Sequence, residues 1–103
     1  MTMKQTETLV WIVYDISEDK PRSKVAKRCK HAGLYRVQKS VFLGTIVRNR
    51  LDELTMEIEE LMDKDTDSVY IFPMCEPDFK KVNLLGQAFD QKLVTDEVRA
   101  LFI

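Results

Sequence analysis

The chain has 103 residues, 45% of them hydrophobic and 32% charged, and its formal net charge is −1. That length corresponds to one domain, and that balance excludes a disordered chain. The longest apolar run, Leu9 to Tyr14, has six residues, whereas a membrane-spanning helix needs about 20, so no such helix is predicted.

Residues 1–8 are polar and are read as a flexible N-terminus. They lack the apolar core of a signal peptide, which argues for a cytoplasmic protein. Cys29 and Cys75 have no CxxC spacing and are read as two reduced thiols. The small net charge conceals a strong asymmetry. Lys20 to Arg50 holds ten basic residues and no Asp or Glu, while the rest of the chain carries six basic and all 17 acidic residues. Such a distribution points to a polyanion-facing surface opposite an acidic one.

Leu9-Val-Trp-Ile-Val-Tyr14 is continuous, β-branched and aromatic, and reads as a central strand buried on both faces. The polar turn Asp15-Ile-Ser-Glu-Asp19 follows. Pro21 suits the first position of a helix and Gly33 its C-terminal cap. Between them Val25, Cys29 and Ala32 form an apolar stripe beneath an almost wholly basic outer face. Leu34 to Val47 has strand composition but exceeds one average strand, so it is read as a hairpin turning near Gln38 to Ser40, with a single bulged strand as the alternative. Asn49 is placed as the cap of a second helix, with Asp52 and Glu53 in its first turn. Leu51, Leu54, Ile58 and Leu61 are placed on its buried face. Val69-Tyr-Ile-Phe72 gives another strand within Asp67 to Met74, and Pro73 puts it at the sheet margin.

The resulting β-α-β-β-α-β order predicts an α+β, ferredoxin-like domain over residues 9–81, with two helices on an antiparallel sheet. Residues 82–103 form a tail in which Val82 to Leu85 and Lys92 to Val94 can make short strands, with a turn after Thr95. The apolar ending Leu101-Phe102-Ile103 calls for a cover, such as a second copy of the chain.

Several chemistries are excluded. Three glycines, at 33, 44 and 86, build neither GxGxxG nor a phosphate loop. A single histidine, His31, rules out HExxH and any His-rich zinc site. The calcium-loop mimic starting at Asp15 fails because Lys20 holds the glycine position and Ala26 the final glutamate position. Asp15 remains. It ends the central strand just before the basic run, where it either caps the turn by accepting backbone N–H bonds or projects into a cleft. One carboxylate is too few for a hard cation, and a two-fold axis passing near Asp15 would supply a second from a partner chain.

Three segments together carry a family resemblance: Tyr14-Asp15-Ile16; Pro21-Arg22-Ser-Lys24-Val25; and Gly33-Leu-Tyr-Arg36-Val-Gln38-Lys-Ser40-Val41-Phe42-Leu-Gly44. The chain resembles the small universal CRISPR-associated adaptation protein family (Cas two) from Leu9 to about Leu85. The resemblance implies a homodimer in which both copies of Asp15 face each other and hold a magnesium ion. It implies a tail strand that joins the partner's sheet edge, and metal-dependent cleavage of RNA or duplex DNA. It also implies service as a bridge between integrase (Cas one) dimers during DNA capture. By position, Asp15 takes the metal and catalytic role. Arg22, Arg36, Ser40 and Phe42 match residues tied to activity, and Tyr14 belongs to the same motif. The resemblance together with charge makes Arg22, Lys24, Lys27, Arg28, Lys30 and Arg36 the nucleic-acid contacts. Lys24 stands where some members carry arginine, which reduces a forked contact to a point charge. Leu43 stands where the family often has an acidic residue. A toxin-type ribonuclease of related fold and a non-catalytic RNA-binding domain are the alternatives. The latter lacks its Lys/Arg-Gly-aromatic signature and needs exposed aromatics on central strands.

Overall fold

The computed structural model describes residues 7–83 and 85. In chain order the elements are β1 (Glu7–Asp15), α1 (Asp19–His31), β2 (Tyr35–Gln38), β3 (Val41–Val47), α2 (Arg48–Leu61), β4 (Ser68–Met74) and the short α3 (Glu76–Lys80). The four strands form one sheet in the order β2-β3-β1-β4, with every neighbouring pair antiparallel. This is the ferredoxin-like arrangement, and β1 lies inside the sheet as its apolar run requires. Val10, Ile12 and Tyr14 face the helices, while Leu9 and Trp11 face the other way. All five are buried.

The main core lies between sheet and helices. Val10, Ile12 and Phe42 from the sheet meet Val25 and Cys29 from α1 and Leu51, Leu54 and Ile58 from α2. A smaller cluster on the far face gathers Leu9, Trp11, Val41 and Leu43, with Phe79 of α3 packed against it. The Trp11 and Phe79 rings lie 6.3 Å apart. Farther along that face Tyr70 and Phe72 are 55% and 50% exposed, their rings stacked at 6.2 Å.

The hairpin forms as the turn chemistry suggests, with Lys39 and Ser40 at its tip and an irregularity between Arg36 and Gln38. Helix α1 ends in a Schellman motif: Leu34 N–H reaches Cys29 C=O at 3.2 Å and Gly33 N–H reaches Lys30 C=O at 2.9 Å. Gly33 has φ +89°, the left-handed conformation this ending demands.

Three boundaries differ from the sequence reading. Helix α1 starts at Asp19, so Pro21 is its third residue rather than its first. The first turn's N–H groups lack helical partners, so a proline anywhere within it loses nothing. Helix α2 starts at Arg48 directly from β3, with Val47 at the cap; Asn49 is inside the helix, and the first turn holds no acidic residue. Burial of Leu51 and Leu54 sets that start, overriding the capping preference of Asn49. Strand β1 begins at Glu7, two residues before the predicted domain edge. Helix α3 was not foreseen, and residues 82, 83 and 85 are not in a strand. The expectations for Lys92 to Val94 and the turn after Thr95 fall outside the described residues.

Candidate nucleic-acid and metal site

At the C-terminal end of β1, the β1–α1 loop and the β2–β3 turn enclose an open cleft of about 750 Å³, lined by Asp15, Ile16, Arg22, Arg36, Val37, Gln38, Lys39 and Ser40. The fold thus brings together Asp15, Arg22, Arg36 and Ser40 from three separate segments of the sequence.

Asp15 is exposed, and among the described residues its carboxylate makes no hydrogen bond or ion pair. Capping of the turn falls instead to Asp67, whose Oδ1 accepts from Ser17 N–H at 3.1 Å and Ser17 Oγ at 3.0 Å. The Asp15 carboxylate is therefore open to the cleft. No cluster of three or more His, Cys, Asp or Glu residues able to hold a metal occurs among the described residues. The described lining of the cleft offers one carboxylate, Asp15, a hard oxygen donor that can be one ligand of a cation but is not a complete site.

The two cleft arginines are engaged by the backbone. Arg22 Nη1 donates to Ile16 C=O at 2.9 Å, and its Nη2 pairs with Asp19. Arg36 donates through Nε at 3.0 Å and Nη2 at 2.6 Å to Lys39 C=O. Tyr14 Oη donates to the same carbonyl at 3.2 Å, and Ser40 C=O accepts Tyr14 N–H at 3.0 Å. Phe42 sits beneath: the Arg36 guanidinium lies 5.6 Å from its ring centroid, and the Tyr14 ring lies 6.3 Å away. Burial pushes the Tyr14 phenol above its ordinary pKa despite the opposing pull of Arg36, so it remains a neutral donor. Tyr14 and Phe42 support the cleft from the core and do not face it.

Lys24, Lys27, Arg28 and Lys30 do not line the cleft. They are exposed on α1 and have no ion-pair partner among the described residues. At the helical period Lys20, Lys24, Lys27, Arg28 and His31 fall in one sector of about 100°. Lys30 lies about 60° beyond its edge, and Arg22 turns toward the loop. The predicted nucleic-acid contacts therefore divide into a cleft pair and a separate outer stripe.

Sequence reasoning missed Asp67. Its only local signal is the alternating Asp63-Lys-Asp65-Thr-Asp67, a turn-rich segment after α2.

A small ferredoxin-like domain thus carries a cleft in which an open carboxylate, Asp15, lies with two arginines. The comparisons identify its family. The profile of the family described as CRISPR associated protein Cas2 matches residues 8–82, and the chain belongs to that family. A protein named CRISPR-associated endoribonuclease Cas2 from Desulforudis audaxviator is 39% identical over 69 residues, covering 67% of this chain and 65% of its own length, slightly under two thirds. One of the same name from Korarchaeum cryptofilum is 33% identical over 78 residues, covering 76% and 84%. The crystal structure of Streptococcus pyogenes Cas2 superposes with a TM-score of 0.66 at 26% identity, covering 76% of this chain and 99% of that one.

Proposed function

We propose that this chain is a CRISPR adaptation protein that works as a homodimer on nucleic acid, with the two Asp15 carboxylates sharing a magnesium ion and supporting phosphodiester cleavage. The observation that carries this reading is the Asp15 carboxylate, unpartnered among the described residues, in a cleft beside Arg22 and Arg36. The endoribonuclease names of its relatives support the reaction class. A bound magnesium supplies Lewis acidity and charge neutralisation at the phosphodiester. The chain's own residues orient the strand: Arg36, fixed by Lys39 C=O, turns its guanidinium to a phosphate oxygen, and Asp15 provides the anionic ligand. Pairing of two copies is supported by the exposed, stacked Tyr70 and Phe72, which extend the apolar far face of the sheet. The test is cleavage of RNA and duplex DNA by purified protein with magnesium. Asp15→Asn removes the activity in this reading, and activity that survives the substitution contradicts it.

A second reading is architectural. The exposed cationic stripe of Lys24, Lys27 and Arg28 grips duplex phosphates, and the protein bridges the integrase without cutting. It is favoured by the sparse catalytic equipment, since the residues lining the cleft include no histidine. DNA capture that proceeds with Asp15→Asn and fails on charge reversal of the stripe selects it. The base-stacking RNA-binding alternative is not supported, because the aromatics of the central strands, Trp11, Tyr14 and Phe42, are 8%, 3% and 0% exposed.

A further inference from the structure

Asp67 is the one buried charged residue among those described, 8% exposed. No cation pairs with it there. Four donors satisfy it instead: Oδ1 accepts from Ser17 N–H at 3.1 Å, Ser17 Oγ at 3.0 Å and Thr66 Oγ1 at 3.2 Å, and Oδ2 accepts from Asp63 N–H at 2.9 Å. A carboxylate is retained in such a place only when its oxygens are this well supplied. Two of the donors belong to Ser17, on the loop by which the chain leaves β1 at Asp15. In the β1–β4 register Asp15 faces Ser68, the residue that follows Asp67. Arg22 holds the same loop from the other side through Ile16 C=O.

We propose that Asp67 is a positioning residue for the Asp15 site. By holding Ser17 it fixes the β1–α1 loop, and through that loop the direction of the Asp15 carboxylate and the seat of Arg22 in the cleft. The inference rests on the proposed role of Asp15. Asp67 does not line the cleft and acts only through the backbone. The role needs a carboxylate rather than an amide. Both of its oxygens accept N–H donors, so an asparagine must turn its NH₂ toward one of them and lose that bond.

The experiment compares full-length wild type with Asp67→Asn, Ser17→Ala, Ser17→Thr and Asp15→Asn. Amide hydrogen exchange is read at Ser17, kcat and KM from magnesium-dependent cleavage, and Mn²⁺ affinity from electron paramagnetic resonance. Asp67→Asn is expected to speed Ser17 exchange about fivefold or more, the loss of roughly one hydrogen bond. It is expected to lower kcat about tenfold with KM nearly unchanged, as displacement of a reacting group does, and to weaken Mn²⁺ binding. Ser17→Thr keeps the hydroxyl and the wild-type values, while Ser17→Ala falls between. If Asp67→Asn fails to fold, the Ser17 pair carries the same test. Wild-type kcat and Mn²⁺ affinity in Asp67→Asn, or a rise in KM alone, overturns the inference while leaving Asp15 in place. If Asp15→Asn matches wild type in cleavage and Mn²⁺ affinity, the reading of Asp15 fails first and takes the inference with it.

Discussion

The Tyr14 hydroxyl donates to the Lys39 carbonyl at 3.2 Å, a contact spanning 25 residues that joins the end of β1 to the tip of the β2–β3 hairpin. Because Arg36 Nε and Nη2 reach the same oxygen, one carbonyl sets the wall of the cleft opposite Asp15. Tyr14→Phe removes one of three donors and keeps the ring against Phe42, so denaturant titration should show a loss of about 0.5–1.5 kcal/mol. Arg36→Lys loses the forked contact, since an ammonium cannot reproduce it. It should weaken nucleic-acid binding more than Tyr14→Phe does; equal effects would place Arg36 outside the binding surface.

The exposed cations of α1 give a salt-dependent prediction. Each phosphate neutralised contributes about −0.9 to the slope of log affinity against log salt on duplex DNA. Charge reversal at Lys24, Lys27 and Arg28 should flatten the slope measured by fluorescence anisotropy. Reversal at Glu59 and Glu60, exposed on α2, should not flatten it.

The two thiols should behave oppositely toward alkylating reagents. Cys29 is fully buried, and that burial pushes its pKa up to about 12 against the pull of Arg36, so no thiolate forms near neutral pH. Cys75 is exposed and donates its S–H to Asp78 Oδ2 at 3.1 Å. Mass spectrometry of the folded protein after brief iodoacetamide treatment should find label on Cys75 only, with Cys29 reacting in denaturant. Early label on Cys29 would contradict the packing of α1 on the sheet.

Asp67 also predicts an acid limb in stability. The Asp63 N–H first, then Ser17 N–H, hold its carboxyl below the ordinary aspartate value, with partial burial opposing them. A depressed folded pKa stabilises the native state fully above the unfolded value, about 3.9, and that contribution is lost as pH falls through the folded pKa. Asp67→Ala should therefore be less stable than wild type near neutrality, and the gap should shrink below about pH 4. A gap that is constant with pH would assign the loss to packing alone.

What the sequence disclosed was local or periodic. The six apolar residues of β1, the Val25 and Cys29 stripe, the turn at Lys39 and Ser40 and the left-handed Gly33 each follow from neighbours within a few positions. The α2 start was misplaced because Asn49 satisfies a local capping rule that burial of Leu51 overrides. Asp15 was located, but its two local readings could not be separated, because the residue that caps the turn is Asp67, 50 positions beyond Ser17. Arg22 and Arg36 were recognisable as cations. Their bonds to Ile16 and Lys39 carbonyls depend on how the loop and hairpin fold back, which periodicity does not encode. Helix α3 is only five residues long, and its Phe79 acquires meaning only against Trp11.

The central claim is that two copies of this chain bring their Asp15 carboxylates to one cation. A crystal structure of the protein grown with Mn²⁺, phased for anomalous signal, tests it most directly. A single strong peak is expected on the two-fold axis, coordinated by a carboxylate oxygen from each copy. A monomeric crystal, or a dimer whose Asp15 side chains open onto opposite surfaces with no peak between them, would contradict it.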